Sequence, residues 1–140
     1  MAFRTQLPVV GVIALGGALG ATARYAATLA WPTPAGAFPW TILTVNATGC
    51  AVLGVLMVLA TETVTPPHPL LRPFLGTGVC GGFTTFSTYA LDSQRLLADG
   101  DVTRGMLYLS ATAVTALAAV WAAVVATRAV LRAAPERRAR

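Results

Sequence analysis

Four stretches of this chain, at about 7–29, 40–61, 73–91 and 105–127, run with almost no charged side chain. A helix needs roughly 20 apolar residues to cross the hydrocarbon layer of a bilayer. Every backbone N–H and C=O in that layer must also find its partner inside the protein. Together these requirements predict an all-α membrane protein with four transmembrane helices. Only Arg24, near the end of the first stretch, interrupts the pattern. Composition agrees, because 11% of the residues are charged, whereas a soluble domain carries about a quarter.

The connections are short. "WPTPAGAFP" reads as a Pro/Gly turn, "ETVTPPHPLLR" as a Pro-rich turn and "DSQRLLADGDVTR" as a polar loop. Residues 1–140 therefore form one membrane domain, with a basic tail over 128–140 that begins helical and then frays. Arg4 followed by an apolar run and Ala21-Thr22-Ala23 imitates a cleavable signal peptide. The length and glycine content of the run, with three further spans behind it, favour a retained helix.

The net charge of +5 comes from arginine alone. No basic stripe interleaved with aromatic residues is present, so basicity points to membrane topology and not to nucleic acid. Four spans put both termini and the second loop on one face, with Arg4, Arg72, Arg128, Arg132, Arg137, Arg138 and Arg140. The opposite face holds Arg95 and Arg104, with Arg24 near its edge. The positive-inside rule therefore favours cytoplasmic termini. Cys50 and Cys80 both lie inside apolar runs and read as small hydrophobes.

Within the spans the polar residues are uncharged, Arg24 apart. Gly16 and Gly20 in "GGALGATARY" form a G-x-x-x-G face that lets another helix approach closely. Arg24 either snorkels to the headgroups or sits in a wet vestibule, drawing anions or holding a carbonyl. Asn46 in "TVNATGC" either joins helices or donates to something passing through, and Gly49 leaves space beside its amide.

The third span is the densest. Glycines 76, 78, 81 and 82 weaken helical preference just before Phe83-Thr84-Thr85, which predicts a broken third helix. Such a break frees carbonyls that are tolerated at membrane depth only inside protein, or facing water or an ion. Beyond it, Phe86 and Tyr89 share a face, with Ser87 and Thr88 on an adjacent one. In the fourth span Tyr108, Ser110, Thr112 and Thr115 extend a polar track, although single hydroxyls usually bond back to a carbonyl one turn earlier.

No Asp or Glu falls inside a span; Glu62 and Asp92 sit at the ends. A proton-coupled exporter normally needs a membrane carboxylate. The one histidine, His68, is a loop residue, and no acid/base pair, nucleophile elbow or phosphate loop is present, so the chain is not read as an enzyme. What remains is a donor-rich line through the membrane, suited to a small hydrated anion that trades water for hydroxyls, amides and positive ring edges. Four helices are too few to enclose a pore, which predicts an oligomer.

"GGALGATARY", "NATG" and "CGGFTTFSTY" fall, in that order, where the Fluc/CrcB family of small bacterial fluoride channels carries its signatures, and the chain resembles that family over nearly its whole length. The resemblance implies passive, fluoride-selective export across the bacterial inner membrane by an antiparallel, dual-topology homodimer. It also implies a structural sodium ion at the dimer centre, held by the backbone carbonyls of Gly81 and Thr84. The implied ion pathway comprises Asn46, Phe86, Ser87, Thr88, Tyr89 and Thr112, with Arg24 as the basic residue closing span 1. Two departures stand out. Tyr89 replaces a phenylalanine, and the arginine bias favours one orientation, which suits a heterodimer with an oppositely inserted paralogue. A small dual-topology multidrug exporter and a helix-packing scaffold are the competing readings.

Overall fold

A computed structural model describes residues 2–62 and 68–138, with side chains over 6–62 and 68–133. The described residues form six helical segments. They are α1 (Ala2–Ala30), α2 (Trp40–Glu62), α3 (Pro73–Cys80, wound in wide π turns), α4 (Gly81–Phe83), α5 (Phe86–Ala98) and α6 (Val102–Arg138). Three of them, α1, α2 and α6, are individually long and apolar enough to cross a membrane, with mean hydropathies of 1.6, 2.2 and 2.0. The expected third crossing is the composite of α3, α4 and α5, interrupted at Thr84 and Thr85 as the glycine cluster predicts.

The polar loop expected after Leu91 is largely helix, because α5 continues to Ala98. Its extra two turns hold together through one buried face. Leu96 packs with Leu43 and Tyr108, and the Ser93 hydroxyl donates to the Tyr89 carbonyl at 2.8 Å. The true stop is a Schellman motif. Asp101 N–H donates to Leu96 O and Gly100 N–H to Leu97 O, with Gly100 at φ +83°. Asp101 then caps α6 by accepting from Arg104 N–H at 3.0 Å. The "ADGD" tetrapeptide thus encodes the stop and the restart. At its far end α6 remains helical to Arg138, where the sequence predicts fraying.

The first connection is a turn as expected, with Gly36 at φ +71° and its carbonyl held by Arg104 Nη1 at 3.2 Å. The second falls largely on residues 63–67, outside the described residues; His68 beyond them accepts from Leu70 N–H and is a loop residue as read.

Two packing units result. α2 runs along α6, joined at one end by Arg128, which donates from Nε and Nη2 to the Glu62 carboxylate at 2.8 and 2.6 Å. α1 lies against α3 and α4 through the predicted glycine face. Gly16 and Gly20 touch the backbone at Phe74 and Val79, and Gly82 touches the backbone of Gly17. A Cβ on Gly20 would also stand 2.7 Å from the Phe83 nitrogen.

Gly20→Ala therefore forces backbone apart and should destabilise the folded protein by about 1–3 kcal/mol, the usual range for overpacking. Gly11→Ala on the same helix meets open space and serves as the control. Denaturation of the two variants in detergent checks the contrast; equal stabilities would refute the contact.

Candidate ion path at the helix break

The site begins with two residues that leave the helix. Thr84 (ψ 157°) and Thr85 (φ −147°, ψ 124°) are extended, so the hydrogen-bond ladder stops there. Thr84 N–H and its hydroxyl both donate to Cys80 O at 3.0 Å. Thr85 N–H would serve the Gly81 carbonyl in an unbroken helix; here it donates to Asn46 Oδ1 at 2.8 Å. Asn46 Nδ2 donates in return to Thr85 O at 3.1 Å. Both arms of one buried amide thus satisfy both backbone groups of one buried residue. Of the two sequence readings of Asn46, the structure shows the joining of helices. The space beside it, opened by Gly49, is filled by the Thr84 methyl and the Phe83 ring.

Thr85 also caps α5. Its hydroxyl accepts from Thr88 N–H at 3.2 Å and donates to the Thr88 hydroxyl at 3.1 Å, with the Ser87 hydroxyl 3.3 Å away. Thr88 N–H would otherwise point back to the Thr84 carbonyl. Sequence reasoning places Thr85 in the break but misses its capping role, although a threonine directly before a helix start is the usual signal.

Beyond the cap, Phe86 and Tyr89 lie with ring centroids 5.7 Å apart. Phe86 is 79% exposed and projects away from its own chain, whereas Tyr89 is half-buried. The Tyr89 hydroxyl donates to Leu109 O on α6 at 3.0 Å, and its ring sits 5.5 Å from that of Tyr108. The polar handle that distinguishes Tyr89 is therefore engaged with backbone.

The two rings border two open grooves. One, of about 360 Å³, runs back towards the break and is lined by Asn46, Cys50, Thr84, Thr85 and Thr112 as well as the rings. The other, of about 610 Å³, continues past Ser93, Gln94 and Leu109. Thr112 is buried, and its hydroxyl faces that of Tyr108 one turn earlier without completing a well-formed hydrogen bond. Thr115 instead bonds back to Ala111 O, and Ser110 lies outside both grooves. Of the expected hydroxyl track on the fourth span, Thr112 is the member that lines a groove, with its hydroxyl turned to Tyr108.

Ser87 and Thr88 fall on the adjacent face, as their spacing predicts. Ser87 is exposed, and Thr88 lines a separate cavity of about 240 Å³ with Thr28, Asp92 and Arg95. Burial raises the Asp92 carboxyl above the usual range, and Arg95, 3.7 Å away, opposes that shift. Arg24 adopts the carbonyl-holding role, with Nε donating to Gly82 O at 3.2 Å. Gly81 stands exposed, with open space where a Cβ would project.

Residues 11–124 match the family described as CrcB-like protein, Camphor Resistance (CrcB). The chain is 65% identical over 130 residues to "Fluoride-specific ion channel FluC 1" of Streptomyces coelicolor, covering 93% of this chain and 84% of the relative. It is 60% identical over 111 residues to "Fluoride-specific ion channel FluC 2" of Streptomyces avermitilis, covering 79% and 70%. It is 44% identical over 131 residues to the FluC 2 channel of Thermobifida fusca, covering 94% and 96%.

Removing the Asn46 amide leaves two buried backbone groups of Thr85 unpaired, each costing about 1–3 kcal/mol. Asn46→Ala should thus lose several kcal/mol of stability. Asn46→Asp, which keeps an acceptor for Thr85 N–H but no donor for its carbonyl, should fall between the two. Reversible unfolding in mixed micelles ranks the three proteins, and an Ala variant as stable as the parent would contradict the two-way bond.

Proposed function

The chain belongs to the CrcB family, and on that premise we propose that it is a fluoride-selective ion channel that passively lowers cytoplasmic fluoride. The observation that carries the reading is the pair of rings bordering two consecutive grooves, one of them lined at the helix break by Asn46, Thr84, Thr85 and Thr112. Fluoride is small and strongly hydrated, so its passage requires donors that replace water without trapping the ion. The ring edges of Phe86 and Tyr89 carry the positive end of their quadrupoles and meet that need beside Asn46 and Thr112. Ser87 and Thr88 continue the donor set on the neighbouring face. The protein is read as a multi-pass component of the bacterial plasma membrane, and channel rather than catalytic activity follows from the family.

Both grooves are open in the single chain, and the most exposed ring borders both. This supports closure of the path by a second subunit, inserted antiparallel in a dual-topology dimer. A structural sodium ion at the dimer centre fits the residues present. Thr85 N–H and Thr88 N–H, the helical donors of the Gly81 and Thr84 carbonyls, are engaged by Asn46 and by the Thr85 cap. The ion would neutralise carbonyl dipoles brought together from both subunits. The second subunit is the same chain or a paralogue. Streptomyces avermitilis has relatives numbered FluC 2 and FluC 3, so paralogues coexist in one organism, and the arginine asymmetry of this chain favours such pairing.

Two measurements test the proposal. Purified protein in liposomes should release fluoride, and not chloride, when a potassium ionophore is added. Phe86→Ile should abolish that flux while leaving the dimer intact, since it removes the ring edge from a side chain that contributes little to its own chain's core. Well-folded dimers that release no fluoride would end the reading. For the pairing, tags on both termini should report one predominant orientation when the chain is expressed alone; equal populations would favour the homodimer.

A further inference from the structure

Arg24 reaches the helix break from the glycine face of α1. Gly16, Gly20 and Arg24 are each four residues apart and lie on one side of the helix. Gly16 and Gly20 contact the backbone of α3 and α4, and Arg24 follows them to the next carbonyl in line. The guanidinium forms no ion pair with a carboxylate among the described residues, and its Nε donates to Gly82 O at 3.2 Å. In a continuous helix that carbonyl would accept from Phe86 N–H. The geometry therefore points to Arg24 as a positioning residue that stabilises the open break by giving the Gly82 carbonyl the donor that Phe86 N–H does not supply, acting through the backbone and not as a ligand or lure for the anion.

The bond complements the one made by Asn46. To close the helix across residues 82–86, Thr85 N–H would have to leave Asn46 for Gly81 O, and Phe86 N–H would have to return to Gly82 O, which Arg24 already serves. One neighbouring helix favours the open form at each point: α2 by holding the Thr85 donor through Asn46, and α1 by serving the Gly82 acceptor through Arg24. The carbonyls of Gly81 and Thr84 stay outside a helical ladder as a result. Phe86, the first residue of α5, takes its direction from where the break ends.

Two isosteric substitutions separate this role from electrostatic attraction. In Arg24→Gln the amide Nε2 occupies the same position along the side chain as the arginine Nε, so the donor stays and the charge goes. In Arg24→Lys a methylene occupies that position, so the charge stays and the donor at that atom goes. The functional arm rests on the fluoride reading. Hydrogen–deuterium exchange over residues 81–88 of the purified full-length protein does not, and it tests the break directly.

The expected result is that Arg24→Gln keeps the wild-type exchange pattern and a fluoride efflux rate within about twofold of the parent. Arg24→Lys should alter exchange over 81–88 and slow efflux by about tenfold, the factor by which one lost hydrogen bond shifts an equilibrium. The opposite ranking, with Lys normal and Gln impaired most at low ionic strength, would show an anion-attracting charge and overturn the inference. It is also overturned if both variants match wild type in exchange, or if both depart from it equally. Should wild-type protein conduct no fluoride, the exchange arm alone decides the role of Arg24.

Discussion

The two-way hydrogen bond between Asn46 and Thr85 is the interaction on which the rest of the site depends. An extended residue inside a membrane has a donor and an acceptor that neither lipid nor its own helix can serve. One carboxamide supplies the complement of both, at 2.8 and 3.1 Å. With that pairing in place Thr85 can turn its hydroxyl forward to cap α5, and α5 can start in a new direction. The rings of Phe86 and Tyr89, the two grooves they border and the released carbonyls of Gly81 and Thr84 all follow from where that second helix begins.

The break is held from the other side by close backbone packing. α1 can reach α3 and α4 because Gly16, Gly20 and Gly82 have no Cβ to keep the helices apart, and the wide π turns of α3 end within this contact. Close approach brings the Arg24 side chain to a buried carbonyl instead of to the headgroups. An arginine at that depth is tolerated because it satisfies a polar group that would otherwise be stranded. The glycines and the arginine of "GGALGATAR" thus form one unit whose spacing matches consecutive points along the broken span.

Much of this was legible in the sequence. Hydropathy located the spans, the four glycines before "FTTF" located the break, and the spacing of Phe86 and Tyr89 put both rings on one face. What escaped were features set by a partner across space. The polarity of "DSQRLLADGDVTR" concealed two further helical turns, because Ser93 and Leu96 are buried by α2 and α6 and not by neighbours in sequence. The Gly100 stop was visible as a local signal, yet polarity outweighed it. Likewise, nothing in one sequence reveals that the Tyr89 hydroxyl ends on Leu109 O, or that the Thr112 hydroxyl turns to Tyr108 while that of Thr115 bonds back to Ala111 O.

The distribution of charge completes the physical picture. Within the grooves the polar groups are hydroxyls and amides, which on the proposed reading would serve an anion without binding it as tightly as a fixed cation would. The carboxylates are kept to the ends, where Glu62 is neutralised by Arg128 and Asp92 faces Arg95. Asp92 shows why that separation matters. Even at the rim its ionised form is disfavoured by burial, so its folded pKa lies above the unfolded value. Above the ordinary carboxylate range its charge opposes folding, and that penalty disappears as pH falls through the raised pKa. A carboxylate moved one or two turns inward, towards the grooves that the rings border, would meet a larger desolvation penalty. It would also place fixed negative charge against the ring edges. The proposed path, built from neutral donors and with the Arg24 guanidinium tied to a carbonyl, would avoid both repulsion and capture of the ion.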